Sequence, residues 1–211
     1  MPVRLSTRRQ LVLSATALAA LVSPDWAFAQ VTVGQPAPAF SLVAADGKTV
    51  ALESLRGKTV VLEWTNHDCP FVRKHYDAGN MQAQQKEAAA VGAVWLQVIS
   101  SAPGKQGYVD GATAVALNTK RQAAPAGTLL DPTGKVGQQY GAKTTPHMYV
   151  INVQGTLVYQ GGIDSIASAR TEDIAKAEQH VRVAVAELAK GKTVTKATSK
   201  PYGCSVKYAD S

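Results

Sequence analysis

Residues Thr59 to Tyr76 read TVVLEWTNHDCPFVRKHY, and the order of residue types along them decides the fold. Val60, Val61, Leu62 and Trp64 form a short, largely apolar run bounded by polar residues, which suits a strand buried on both faces. A polar corner, Thr65 to Asp68, leads into Cys69-Pro70 and then into a helix-like pattern. Proline fits the first helical position, where its missing N–H costs nothing, so Cys69 is expected at or beside the N-cap. There its sulfur would sit exposed at the helix mouth, facing unpaired amide N–H groups and the positive end of the helix dipole. Both favour thiolate over thiol, and Arg73, Lys74, His67 or His75 would add to the effect. The thiolate is the reactive form, so Cys69 is the candidate nucleophile; the alternative is an inert core cysteine.

Working outward, Phe40 to Ala44 reads as a strand, Ala45-Asp46-Gly47-Lys48 as a hairpin turn, and Val50 with Leu52 as the returning strand. The helix after Cys69 is expected to break at Gly79-Asn80 and resume from Met81 to Val91. Ala93 to Ser100 is a second central strand, apolar almost throughout. A helix over Thr113 to Arg121, a strand over Gly127 to Asp131 and a short helix over Lys135 to Tyr140 follow. Met148 to Asn152 and Leu157 to Tyr159 make a hairpin. Ile174, Val181, Val185 and Leu188 fall at helical spacing, so Glu172 to Lys190 reads as one closing amphipathic helix with Thr171 as N-cap and Gly191 as stop. Strands alternating with helices call for a central sheet with helices on both faces: an α/β domain of three layers.

Residues 1–29 stand apart from this pattern. Arg4, Arg8 and Arg9 precede a twelve-residue, mostly apolar run from Leu11 to Val22, and Ala27-Phe28-Ala29 offers a small-residue cleavage site. Twelve residues are too few to span a bilayer as a helix. Ser6-Thr7-Arg8-Arg9-Gln10-Leu11 is similar to a twin-arginine export signal, so the mature chain is expected to begin near Gln30 in the periplasm. The expected organisation is a signal peptide over 1–29, one domain over 30–190 and a tail over 191–211. The full chain of 211 residues carries a net charge of +7. Without the signal, nineteen basic residues face fourteen acidic ones, a net of +5. These charges are scattered rather than gathered in a stripe, which argues against a nucleic-acid partner. No later segment is long and apolar enough for a membrane partner.

Three further stretches carry a family resemblance. Val33-Gly34-Gln35-Pro36-Ala37-Pro38-Ala39-Phe40, with Asp46-Gly47-Lys48 and Leu55-Arg56-Gly57-Lys58, is similar to the lead-in of the thioredoxin-like redoxins. Trp64 to Pro70 stands where that group carries its active-site cysteine. Thr145-Pro146-His147, with Val150-Ile151-Asn152 and Gly155, is similar to its cis-proline loop and following hairpin. The chain thus resembles the AhpC/TSA-like thiol-disulfide and peroxiredoxin superfamily from about Val33 to Gly162. The resemblance implies a thioredoxin-like three-layer sandwich with a central mixed sheet, and a cis Thr145-Pro146 bond lying against Cys69. The backbone of such a loop can pair with an extended substrate strand and hold a disulfide against the nucleophile. Thr145, Pro146, His67 and Asn66 are the expected substrate-binding residues, with His67 able to shuttle a proton.

The departures are equally informative. A C-x-x-C motif needs cysteine at position 72, where Val72 stands. A P-x-x-x-T-x-x-C motif needs proline and threonine where Leu62 and Asn66 stand, with Thr65 one residue off. Dithiol exchange within a local motif is excluded, and the second sulfur must come from Cys204, the only other cysteine. An extended chain from Gly191 reaches roughly 40 Å, against a radius of gyration of about 16 Å for a domain of this size, so Cys204 can reach Cys69.

Three readings remain open. Cys204 is a resolving thiol that closes a 69–204 disulfide for an external thiol reductant to reopen. Alternatively the bridge is a staple, suited to an oxidising compartment and stabilising by about 5 kcal/mol from chain entropy. Or Cys69, Cys204 and one of His67, His75 or His147 hold a soft metal such as copper. The leading expectation is a periplasmic thiol-dependent oxidoreductase with no cofactor. Its partners would be a protein or small-molecule disulfide, or a hydroperoxide, and the external reductant.

Overall fold

The computed structural model describes Met1 and residues 31–209; the expected signal segment, Met1 apart, and its cleavage point lie outside the described residues. Strands β1 (Ser41–Ala44) and β2 (Thr49–Ala51) form the expected hairpin. Strand β3 (Val60–Trp64) is buried at every position. Helices α1 (Pro70–Asp77) and α2 (Asn80–Ala90) part at Gly79, whose φ of +70° is left-handed and suits glycine. Strand β4 (Val94–Ile99), helix α3 (Gly111–Lys120), strand β5 (Gly127–Leu130) and helix α4 (Lys135–Gln139) follow. The two-residue strand β6 (Thr144–Thr145) precedes β7 (His147–Ile151) and β8 (Leu157–Gly161), and helix α5 (His180–Ala189) precedes a last short strand, β9 (Cys204–Ser205).

Seven strands make one mixed sheet in the order β2-β1-β5-β4-β3-β7-β8, and β6 pairs with β9 in a separate ribbon. Strands β3, β4 and β5 run parallel, while β1 and β7 join them antiparallel. Side chains alternate between faces along a strand, and β3 divides the core accordingly. Val60, Leu62 and Trp64 face Phe40, Tyr140, Tyr149, Val136 of α4 and Val206 of the C-terminal tail. Val61 faces the other way, toward Cys69, Val72, Met81, Met148 and Val181, beneath α1, α2 and α5. Trp64 anchors the first face with ring contacts to Tyr149 at 5.0 Å and Tyr140 at 5.3 Å. Its indole N–H donates to Ser100 at 3.0 Å. This is a three-layer α/β sandwich, as the sequence predicts.

Two elements differ from expectation for local reasons. Helix α3 starts two residues early because Asp110 caps it, its Oδ1 accepting from the Thr113 amide at 2.8 Å. The single closing helix is instead a 3-10 turn over Thr171–Lys176 followed by α5. Ser165 takes both backbone groups of Glu178: its N–H donates to the Glu178 carbonyl and its hydroxyl accepts from the Glu178 amide. Those groups are lost to the helical ladder. Among the described residues no helix is long and apolar enough to cross a membrane.

Candidate active site

The corner between β3 and α1 is shaped by Asn66. Its Oδ1 accepts from the Asp68 amide at 2.9 Å and its carbonyl from the Cys69 amide at 3.1 Å. This turns the chain so that Cys69 becomes the N-cap of α1, with Pro70 at the first helical position. The backbone placement is as expected, but the sulfur is not. Cys69 is fully buried, 0% exposed, and makes no side-chain cap to α1. Its thiol instead donates to the Thr145 carbonyl at 3.0 Å.

The sulfur packs beside Val61, Val72 and Met148, and the chain's own tail lies against it. β9 runs antiparallel to β6, pairing Thr145 with Cys204 and Thr144 with Ser205. The Cys204 amide donates to Cys69 Sγ at 3.4 Å, so the N–H expected from the helix end is supplied by the tail. The Thr145-Pro146 bond is cis, and β9 occupies the backbone edge beside it. Further contacts hold the segment along its length. The Ser199 amide donates to Gln160, Val206 to Lys143, and the Ala102 amide to the Lys207 carbonyl. Both cysteines are free thiols. Burial, then the adjoining Cys69 sulfur, push the Cys204 thiol up to about 11.

Lys74 and His75, expected to raise the potential at Cys69, point elsewhere. They are buried with Asp164 and Tyr202. Lys74 Nζ lies 3.6 Å and His75 Nε2 3.7 Å from Asp164 Oδ2, while the Tyr202 hydroxyl donates to Asp164 Oδ1. Asn80 Nδ2 donates to His75 Nδ1 at 2.8 Å, which leaves the ring proton on Nε2, 3.4 Å from Tyr202 Oη. Burial, followed by the Lys74 charge, holds His75 down to about 3. Burial lowers the Lys74 ammonium despite the Asp164 carboxylate.

The remaining sequence-selected groups divide. Asn66 is buried at the corner. His67 pairs with Asp68 at 3.3 Å rather than with the sulfur, and lines an open cavity of about 630 Å³ with Arg73, Tyr76, Lys120 and Arg121. His147 meets the Tyr149 hydroxyl at 3.1 Å, and burial, with the Lys143 charge second, holds it down to about 4. Among the described residues no three of His, Cys, Asp or Glu gather where a metal ion would fit. The histidines that a copper site would require are engaged elsewhere.

Sequence reasoning missed two features. One is the path of the tail. The other is Glu63, fully buried in the middle of β3 and held by Tyr76 Oη at 2.8 Å and Trp95 Nε1 at 2.9 Å. Burial raises its carboxyl, against the opposing Arg121 charge. A lone carboxylate inside VVLEW was the signal for it.

A cysteine at a helix start, facing a cis-proline loop on a mixed sheet with this strand order, defines a protein of the thioredoxin-like fold. The AhpC/TSA family model matches residues 33–160, more than half of the chain, and the chain belongs to that family. Solved structures share the fold. An uncharacterised conserved protein from Geobacillus kaustophilus is 22% identical with a TM-score of 0.72, over 86% of this chain and 95% of that one. A hypothetical protein from Sinorhizobium meliloti 1021 is 22% identical with a TM-score of 0.71, over 87% and 98%. A Chlorobium tepidum protein designated a thiol:disulfide interchange protein DsbE is 24% identical with a TM-score of 0.51, over 62% and 85%. No curated protein matches the chain.

Proposed function

We propose that the protein is a periplasmic thiol-dependent oxidoreductase in which Cys69 is the nucleophile and Cys204 the resolving thiol. The observation that carries this reading is the register of β9: Cys204 pairs with Thr145 and its amide bonds the Cys69 sulfur. Family membership supports the chemistry, and the export-like segment supports the compartment. The roles follow from position: Cys69 is the N-cap of α1 beside the cis-proline loop, and Cys204 lies on the tail strand laid against it. Burial, then the adjoining Cys69 sulfur, raise the Cys204 thiol, which suits a second rather than a first attacker.

The Cys69 thiolate attacks one sulfur of a substrate disulfide, forming a mixed disulfide and expelling the other sulfur as a thiolate. Cys204 Sγ then attacks Cys69 Sγ of the mixed disulfide, its proton passes to the departing substrate thiolate, and the 69–204 disulfide closes. An external dithiol reductant then reopens that bridge and leaves as its own disulfide. A disulfide suits the site better than a hydroperoxide. Leu62, where a peroxidatic pocket needs proline, is core, and Asn66, where it needs threonine, is spent on the corner turn.

Turnover of a model disulfide and of hydrogen peroxide by wild type, Cys69→Ser and Cys204→Ser tests the assignment. Cys69→Ser should abolish disulfide turnover. Cys204→Ser should accumulate a mixed disulfide at Cys69, visible by mass spectrometry of a non-reduced digest. Full activity of Cys69→Ser removes the reading, and peroxide turnover exceeding disulfide turnover reverses the choice of substrate. A reduction potential below about −300 mV marks the bridge as a staple. Recovery from the periplasmic fraction with an N-terminus at Gln30 checks the compartment.

A further inference from the structure

Tyr202 stands two residues before Cys204 and is tied to the same helix that Cys69 begins. Its ring meets Phe71 edge-on at 5.9 Å, and Lys74 Nζ lies 5.1 Å from its ring centre. Its hydroxyl donates to Asp164 and adjoins His75. Phe71, Lys74 and His75 all belong to the first turns of α1. Between Tyr202 and Cys204 the chain passes through Gly203, with φ at +134°. A Cβ there would fall 2.0 Å from the Thr145 carbonyl oxygen, so the backbone lies closer to the cis-proline loop than any side chain would allow. The consequence is a single register. With Tyr202 seated and Gly203 pressed against Thr145, Cys204 has one place to go, and that place covers Cys69.

Resting on the oxidoreductase reading above, we infer that Tyr202 is a positioning residue: it latches the tail onto α1 and so sets both how fast Cys204 resolves a mixed disulfide at Cys69 and how far Cys69 is shielded from substrate. The two effects have opposite signs. A seated tail speeds the second sulfur transfer by holding Cys204 beside Cys69. It slows the first, because an incoming disulfide must displace β9 to reach a sulfur that is 0% exposed. A residue needed only for stability would not move two steps of one reaction in opposite directions.

Reaction of the reduced full-length protein with an excess of an aromatic disulfide that releases a coloured thiolate separates the steps. Attack by Cys69 releases one thiolate and leaves Cys69 as an aryl mixed disulfide. Attack by Cys204 releases the second and closes the 69–204 bridge. Stopped-flow absorbance follows both. Tyr202→Phe keeps the ring and loses the hydroxyl, one charge-assisted hydrogen bond, so roughly a tenfold effect is expected: a faster first phase and a slower second one. Should Tyr202→Phe fail to fold, Phe71→Leu loosens the same ring from α1 and should move the phases in the same directions by a smaller factor. Both phases unchanged, or both moved in one direction, overturn the latch. Cys204→Ser keeps the controls apart. Loss of its second phase upholds the resolving role, so an unaltered Tyr202→Phe then counts against the latch alone. An intact second phase in Cys204→Ser overturns the resolving role itself.

Discussion

Two polar networks lie buried against α1, and neighbouring residues of that helix feed one each. Tyr76 turns to Glu63, where Trp95 Nε1 and Gln85 Nε2 also donate and Gln97 Nε2 reaches the Tyr76 hydroxyl at 2.6 Å. His75 turns the other way, to Asp164, Lys74, Asn80 and Tyr202. The Glu63 network joins β3, β4, α1 and α2, the permanent middle of the fold, and both of its carboxylate oxygens are hydrogen-bonded. The Asp164 network joins α1 to the loop after β8 and to the tail. It is built of charges, and Asp164 Oδ2 is left without a hydrogen bond. A fully hydrogen-bonded carboxyl suits a core that stays shut, whereas an incompletely satisfied charged cluster marks the place where the tail docks on α1.

Removing a charge should hurt the second network most. In Lys74→Met the Asp164 carboxylate loses the ammonium beside it, while burial holds the neighbouring His75 ring neutral, and breaking one partner of a buried pair costs about 3–5 kcal/mol. Denaturant unfolding of the reduced protein should show a loss of that size, with the midpoint shifted and the slope unchanged. A loss under about 1 kcal/mol would mean that the cluster is looser than its burial implies.

Acid should act next. His75 is held down to about 3 and His147 to about 4 in the fold, against 6.5 as the ordinary value. Below 6.5 the unfolded chain therefore binds more protons than the folded one. The stability these rings contribute is full above pH 6.5 and is lost as pH falls toward the folded values. The slope is at most about 1.4 kcal/mol per pH unit for each ring. His75→Gln should flatten the decline of unfolding free energy between pH 7 and pH 4 relative to wild type. An unaltered slope would assign the acid sensitivity to groups outside the Asp164 network.

The difference between the networks also marks where sequence reasoning stops. Strand β3 and helix α1 were legible because an apolar run followed by Cys69-Pro70 has few ways to fold: burial takes the run and proline takes the first turn. The Thr145-Pro146 loop was legible only through its order among other stretches, since its local chemistry also fits an ordinary strand start. Where the Cys69 sulfur points was not legible, because the tail that captures it is more than a hundred residues away in sequence. Its short strand carries no periodic pattern. Lys74 and His75 were placed beside the sulfur by proximity in sequence, yet the turn of α1 sends them to Asp164. The closing helix was overextended because its spacing of apolar residues continued past a break made by Ser165, which no periodicity reveals.

The smallest effect should come from the first network. Burial raises the Glu63 carboxyl, so the folded state holds a proton that the unfolded chain releases above about 4.5, its ordinary value. The stability tied to that proton is fully present below 4.5 and is lost as pH rises through the raised folded value. Glu63→Gln keeps the shape, an acceptor for the Trp95 and Tyr76 donors, and a neutral charge at every pH. At pH 4 the amide only rearranges hydrogen bonds, at a cost of about 1 kcal/mol. As pH rises the wild type pays a proton penalty that the variant escapes, so the deficit should shrink and then vanish. Unfolding curves for the two proteins at pH 4, 6 and 8 read this directly. A deficit that instead grows with pH would mean Glu63 works as a carboxylate, and the two networks would then differ in position but not in kind.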